Sequence, residues 1–377
     1  METLLQIGSE NYQLKRLPLR TGELLRAWDA ADEYLLEYII QELKPAANTR
    51  ILIFNDSFGA LAVGLNAWQP CAISDSYLSQ TATRLNLAAN HLPENSVTLL
   101  NSLQEPVGKF DLVLIKVPKT LAYLEDFLIR LQAFITPTSQ IIAAGMIKSL
   151  PASVWSLLER LIGNTTTSLA KKKARLIFAT PNPDRTVPKN PYPVCYTLEN
   201  TAYQICNHAN VFSRDSLDIG TRFLLAHLPE IPEAWNIADL GCGNGVVGLM
   251  LAEKHPNAIV HFIDESFMAV ASAQQNFTHA FADTRQAKFY VSDGLTEFAS
   301  ESMDLIVCNP PFHQQHTVGD HLALSMFKHA KRVLKKNGQF WVIGNRHLDY
   351  PQTLKKLFAN VGLVAENPKF VIIKAVR

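Results

Sequence analysis

Asn309-Pro310-Pro311-Phe312 sets two hydrogen-bond acceptors, the Asn309 side-chain oxygen and the Pro310 carbonyl, on a backbone stiffened by paired prolines. Two acceptors held close together suit an exocyclic amine on a nucleobase, whose lone pair is delocalised into the ring and makes a poor nucleophile. Accepting both N–H bonds draws that nitrogen toward tetrahedral geometry and aims its lone pair at an incoming carbon, a positioning effect worth several powers of ten. Phe312 offers a face on which the base can stack. The plainer reading is a proline-rich turn closing a strand, and the residues upstream weigh against it.

Gly241-Cys242-Gly243-Asn244-Gly245 separates an apolar run from an apolar helix start. Glycine allows a tight turn and close approach of a ligand, and the helix that follows offers free N–H groups. Asp264 ends the next apolar run, placed to accept hydrogen bonds from a ribose diol. Asp239, two residues before Gly241, would repel a pyrophosphate but suits the ammonium of a methionyl group. Asp293 follows a third run, where an adenine amino group could be held. The series Asp239, Asp264, Asp293 favours S-adenosylmethionine over NAD. Phe212 and Ser213 are further candidates for the wall of the cofactor site, with plain packing as the alternative. Cys308 reads as a small buried residue, because methyl transfer to an amine needs no thiol nucleophile. His313, His316 and His321 lack the Cys or carboxylate spacing that would complete a ligand set, so no metal is expected.

These residues need a scaffold that brings strand ends together. Strands are expected near 236–240, 259–263, 287–291, 304–308, 339–344 and 370–375, with helices near 220–228, 245–254, 266–280, 320–335 and 351–360. Runs of Val, Ile and Leu without strict alternation suit a parallel sheet covered on both faces, so the fold class is α/β, doubly wound and Rossmann-like.

The N-terminal half has the same profile. ILIFNDSFGALAVGL at 51–65 parallels IADLGCGNGVVGLM, AISDS at 72–76 parallels FIDES at 262–266, Asn86 parallels Asn276, and DLVLIKVPK at 111–119 parallels DLIVCNPPF at 304–312. The offset drifts only from 186 residues at Gly59/Gly245 to 193 at Lys116/Asn309, as in an internal duplication. Asn55 and Ser57 stand where the second copy has Gly241 and Gly243, and Lys116 stands in place of Asn309. The first copy is therefore expected to keep the fold without the chemistry. The boundary is PNPDRTVPKNPYP, whose prolines exclude a regular element. The expected organisation is 1–180 as a degenerate, RNA-holding domain, 181–193 as linker and 194–377 as the catalytic domain.

The chain has 377 residues, 47% hydrophobic and 18% charged, which suits two folded domains and excludes a disordered tail. It shows neither a secretory leader nor a bilayer-spanning apolar run, and a cytoplasmic, reduced protein is expected. Five cysteines without a C-x-x-C pair argue against a disulfide framework. The net charge of +1 excludes a bulk basic excess, so nucleic acid must meet a local patch. Lys171, Lys172, Lys173 and Arg175 are the candidate phosphate contacts, with KHAKRVLKK at 328–336 as another basic run; each could equally be a solvated face.

GCGNG, the Asp264 strand end and NPPF resemble the class I S-adenosylmethionine-dependent methyltransferases that modify exocyclic amines. NPPFHQQHTVGDH, MFKHAKRVLKKNG, NRHLDY, KKLF and KFVIIKAV, with VFSRDSLDIGT at 211–221, resemble the guanine-N2 methyltransferases of 23S rRNA, as does the tandem layout. The resemblance covers both halves and is strongest from residue 207 onward. It implies N2-methylation of a guanine in 23S rRNA, free or in a large-subunit assembly particle, by a monomer away from membranes. Rival readings are a 16S rRNA guanine-N2 enzyme, a protein glutamine N5-methyltransferase, an NAD-dependent oxidoreductase and a non-catalytic RNA-binding module.

Overall fold

The computed structural model describes residues 3–19, 23–231, 235–310 and 316–377, with side chains omitted from 316 to 321. The chain divides into two units, Met1–Tyr192 and Pro193–Arg377. Residues 181–193 hold no helix or strand.

The first unit opens with a hairpin, β1 (Leu4–Ile7) and β2 (Glu10–Gln13), followed by α1 (Ala30–Glu37). Then come β3 (Ile51–Phe54), α2 (Ala60–Gly64), β4 (Cys71–Ser74), α3 (Tyr77–Ala89) and β5 (Thr98–Asn101). The chain continues through β6 (Leu112–Lys116), α4 (Leu121–Leu131), β7 (Gln140–Met146), α5 (Ala152–Leu161), β8 (Thr165–Thr167) and β9 (Ala174–Ala179). β3 and β6 are buried along their whole length, as a central strand covered on both faces must be.

The second unit repeats the plan. A hairpin of β10 (Val194–Thr197) and β11 (Gln204–Asn207) precedes α6 (Ile219–Leu225). The core elements are β12 (Asn236–Leu240), α7 (Val246–Lys254), β13 (Ile259–Asp264), α8 (Phe267–Phe281), β14 (Gln286–Val291) and β15 (Met303–Cys308). Last come α9 (His316–Val333), β16 (Leu334–Asn345), α10 (Tyr350–Leu357), β17 (Asn360–Glu366) and β18 (Phe370–Val376).

The two seven-stranded sheets have the same order, β5-β4-β3-β6-β7-β9-β8 and β14-β13-β12-β15-β16-β18-β17. Strand order reverses beside β3 and beside β12, the switch points where such sheets bind ligands. In the second sheet, side chains from α6, α7 and α8 pack on one face and those of α9 and α10 on the other.

Three expectations are corrected. The sheets are mixed: β9 and β18 run antiparallel to both of their neighbours, because each returns through a short turn from the adjacent edge strand. The helix expected to reach residue 360 ends at Leu357, and the residues beyond it form β17. Cys195 and Cys206 form a disulfide. They lie directly opposite each other on β10 and β11, so the hairpin register brings together residues that sequence spacing alone left unpaired. Cys71, Cys242 and Cys308 account for the odd count as buried free thiols.

Candidate active site

Leu240 pairs in register with Ile263 on one side and Cys308 on the other. The glycine turn, Asp264 and Asn309 therefore leave the sheet side by side at the switch point.

The turn is held from below by Gly241 and Cys242 donating to the Ile263 carbonyl at 2.8 and 3.0 Å. Asp264 accepts from Gly243 N at 2.9 Å through one oxygen and from Ser266 N at 3.0 Å through the other. Gly243 (φ 52°) and Gly245 (φ 79°) both need the left-handed region, but for different reasons. A Cβ on Gly245 would lie 2.7 Å from Ala273 Cβ, so that glycine lets α7 approach α8. A Cβ on Gly243 would meet nothing within 4 Å, and one on Gly241 only Met326 Cε at 3.9 Å. Bare backbone facing open space fits a ligand laid across the turn.

Asp239 is 2% exposed and accepts from Gly248 N at 2.8 Å. Burial pushes its carboxyl up to about 8; the Gly248 N–H opposes this and the Asp264 charge adds to it. A buried carboxyl of this kind is ready to ionise against an incoming cation. Asp293 also lies above the ordinary carboxylate range through burial, which His329 partly offsets. Phe212 is exposed and Ser213 has φ 51°, placing both on an irregular segment before α6. Burial holds the Cys242 and Cys308 thiols well above their usual range, unsuited to nucleophilic attack.

Asn309 Nδ2 donates to Thr221 Oγ1 at 2.9 Å, whereas its Oδ1 is buried without a partner among the described residues. Pro310 is buried beside it. Pro311, Phe312 and His313 lie outside the described residues, as do the side chains of His316 and His321. Among the described residues no group of His, Cys, Asp or Glu is arranged to hold a metal, and no helix is long and apolar enough to cross a membrane.

Lys171 pairs with Glu37, and Lys172 with Glu33 at 2.8 Å. Lys173 is exposed, and Arg175 is partly buried.

Asp218, Thr221 and Asn345 were missed as individuals in the sequence, and Asn276 stood out there only as the counterpart of Asn86. Asp218 caps α6, its Oδ2 accepting from Thr221 N at 2.8 Å. Asn276 joins three segments: its Oδ1 accepts from Cys206 N at 2.7 Å, and its Nδ2 donates to the carbonyls of Cys206 and Asn244. Asn345 Oδ1, at the end of β16, is a second buried acceptor without a partner. Asp218 and Thr221 sit in VFSRDSLDIGT and Asn345 opens NRHLDY, so their segments stood out while their roles needed coordinates.

The family model "RLMG N-terminal domain" matches residues 2–183, and "Methyltransferase small domain" matches 202–374. Ribosomal RNA large subunit methyltransferase G of Pseudoalteromonas atlantica is 49% identical over 387 residues, covering 100% of both chains. The chain belongs to the ribosomal RNA large subunit methyltransferase G family. The Pseudomonas aeruginosa member of that family is 50% identical over 363 residues, covering 96% of each chain. Among solved structures, a T. thermophilus 16S rRNA N2 methyltransferase in complex with AdoMet and guanosine superposes with a TM-score of 0.76 at 20% identity, covering 100% of this chain and 97% of that one. That match extends through both units, so the tandem architecture is common to the two proteins.

Proposed function

We propose that this chain transfers a methyl group from S-adenosylmethionine to the exocyclic N2 of a guanine in 23S rRNA. The reading is carried by Asn309 Oδ1, a buried acceptor without a partner among the described residues, beside a glycine turn open to a ligand. An orphaned acceptor costs roughly 1–3 kcal/mol, and a substrate N–H would recover that cost. Membership in the large-subunit methyltransferase G family supports ribosomal RNA as the substrate.

When bound, S-adenosylmethionine would supply an electrophilic methyl group to N2, with S-adenosylhomocysteine as the leaving group and the displaced N2 proton passing to solvent. Asn309 Oδ1 and the Pro310 carbonyl accept the two N2–H bonds and keep the lone pair aimed at the methyl carbon. Phe312 stacks on the base. Asp264 would hold the ribose diol, Asp293 the adenine amine and Asp239 the ammonium, while Gly241 and Gly243 would leave room for the cofactor and Phe212 and Ser213 would border it. No residue needs to act as a nucleophile. The enzyme acts as a cytoplasmic monomer on free rRNA or an assembling particle, with the first unit holding RNA.

Labelled methyl transfer to unmodified 23S rRNA, followed by nucleoside analysis, tests the reading. N2-methylguanosine is expected, with Asn309→Ala slowing single turnover by at least ~10² while cofactor affinity stays near parental. Label on 16S rRNA or protein alone, or an Asn309→Ala variant within a few-fold of the parent, overturns it.

A further inference from the structure

We infer that Thr221 is a positioning residue that decides which end of the Asn309 amide faces the substrate, with Asp218 setting the direction of the hydrogen bond. This rests on the proposed role of Asn309 as an amine acceptor.

An asparagine side chain has an accepting end and a donating end of nearly the same shape. With Nδ2 turned toward the substrate, two donors would meet the donors of the guanine amine, and the lone pair would not be aimed. Something must therefore choose the orientation. Thr221 Oγ1 contacts both Asn309 Nδ2, at 2.9 Å, and Asp218 Oδ2, at 3.3 Å. An ionised carboxylate only accepts, so the single hydroxyl proton of Thr221 goes to Asp218. The hydroxyl lone pairs are left facing Asn309, whose near atom must then be the donor Nδ2. Oδ1 is turned away from α6, and it is the oxygen buried without a partner among the described residues. Reversing the amide would oppose two oxygens unless the hydroxyl proton abandoned the carboxylate.

The backbone holds this chain of donors in place. Asp218 Oδ2 also caps α6 through Thr221 N at 2.8 Å. A Cβ on Gly220 would lie 3.0 Å from Asp218 Oδ2 and 3.1 Å from the Phe370 ring, so a side chain there would push one of them aside by a few tenths of an ångström. The first unit keeps the same three places with other groups: Asp29 caps α1, and Asp32 stands where Thr221 does, facing Lys116.

The test compares full-length Thr221→Val, Thr221→Ser and Asn309→Ala in single-turnover methyl transfer to unmodified 23S rRNA, with cofactor affinity measured by calorimetry. Thr221→Val keeps the shape without the hydroxyl and is expected to lower kcat by roughly tenfold, with cofactor affinity and the KM for RNA unchanged within about twofold. Thr221→Ser restores the hydroxyl and is expected to recover most of the rate. Equal losses in the Val and Ser variants, or loss of cofactor binding in the Val variant, would mean that Thr221 only supports the fold and would overturn the inference. A fully active Thr221→Val beside an inactive Asn309→Ala would overturn the inference alone. An active Asn309→Ala would instead remove the reading beneath it.

Discussion

Lys116 and Asn309 occupy one place in two copies of a fold. Lys116 ends β6 and Asn309 follows β15, each one residue past a pair with the strand before the turn, Ile115 beside Phe54 in the first unit and Cys308 beside Leu240 in the second. In the second unit the neighbours are neutral or at a distance: a hydroxyl on Asn309 and a capping carboxylate behind it. In the first, Lys116 is 8% exposed and lies 2.8 Å from both Asp29 and Asp32. The carboxylates of Asp32 and Asp29 outweigh burial and hold its ammonium above the ordinary lysine range. An acceptor has become a donor held between two carboxylates.

The turns diverge in the same sense. Asp56, at the place of Cys242, fills the start of α2 with its own carboxylate, accepting from Ala60, Leu61 and Ala62 N at 2.9–3.1 Å. Ile53, Ser74 and Leu103 stand at the places of Asp239, Asp264 and Asp293. What persists is packing. Gly59 meets Thr83 as Gly245 meets Ala273, and Asn86 grips Lys15 and Phe58 as Asn276 grips Cys206 and Asn244. Residues needed to close helix on helix survive in both copies, whereas the residues proposed to face a ligand survive in one. That pattern separates Gly245, explained by packing, from Gly241 and Gly243, which packing does not require.

The largest expected contrast is in stability. Lys116→Met leaves Asp32 and Asp56 buried without their cation, and should destabilise the first unit by about 3–5 kcal/mol, the usual cost of breaking a buried pair. Asn309→Ala removes an unsatisfied acceptor and should change stability by less than about 1 kcal/mol. Denaturant midpoints of the two variants check this, and comparable losses would mean that the Lys116 cluster is not a closed structural unit.

A second contrast is in pH. The folded state keeps the Asp239 proton up to about pH 8, whereas an unfolded chain releases it near the ordinary carboxylate value. Folding therefore takes up a proton between those limits, and stability falls as pH rises through the window, by up to about 1.4 kcal/mol per unit. Asp239→Asn lacks this slope, so its stability relative to the parent should improve from pH 5 to pH 8. Parallel midpoints across that range would show that Asp239 is ionised in the folded protein. Ile53 at the matching place contributes no such slope.

Much of this division was legible in the sequence, because the signals were local. Strand, turn and strand-end asparagine follow from runs of a few residues, and the loss of Gly241, Gly243 and Asn309 from the first copy is visible by offset. The antiparallel β18 was not legible, since a buried run of Val and Ile reads alike in either direction. The Cys195–Cys206 pair needed the hairpin register. Thr221 was hidden for a different reason: it lies 88 residues from Asn309, and only the packing of α6 against β16 and β18 brings the two together. Lys171 and Lys172 looked free for RNA because Glu37 and Glu33 lie far off along the chain.

Those two carboxylates define the smallest contrast. If the first unit holds RNA through 171–175, its cations should not contribute equally. Lys171 and Lys172 face Glu37 and Glu33, so their fields are partly cancelled before any phosphate arrives. Lys173 is exposed, with no carboxylate partner among the described residues. A phosphate contact adds about one to the slope of log affinity against log salt. Lys173→Ala should therefore weaken rRNA binding about threefold and lower that slope by about one. Lys172→Ala should do less, because removing it frees Glu33 as well as deleting a positive charge. Titrations of full-length protein at two or more salt concentrations resolve the difference. Equal losses from Lys171, Lys172 and Lys173 would show that the ion pairs open when RNA binds, and no loss from any would move the RNA contact elsewhere on the molecule.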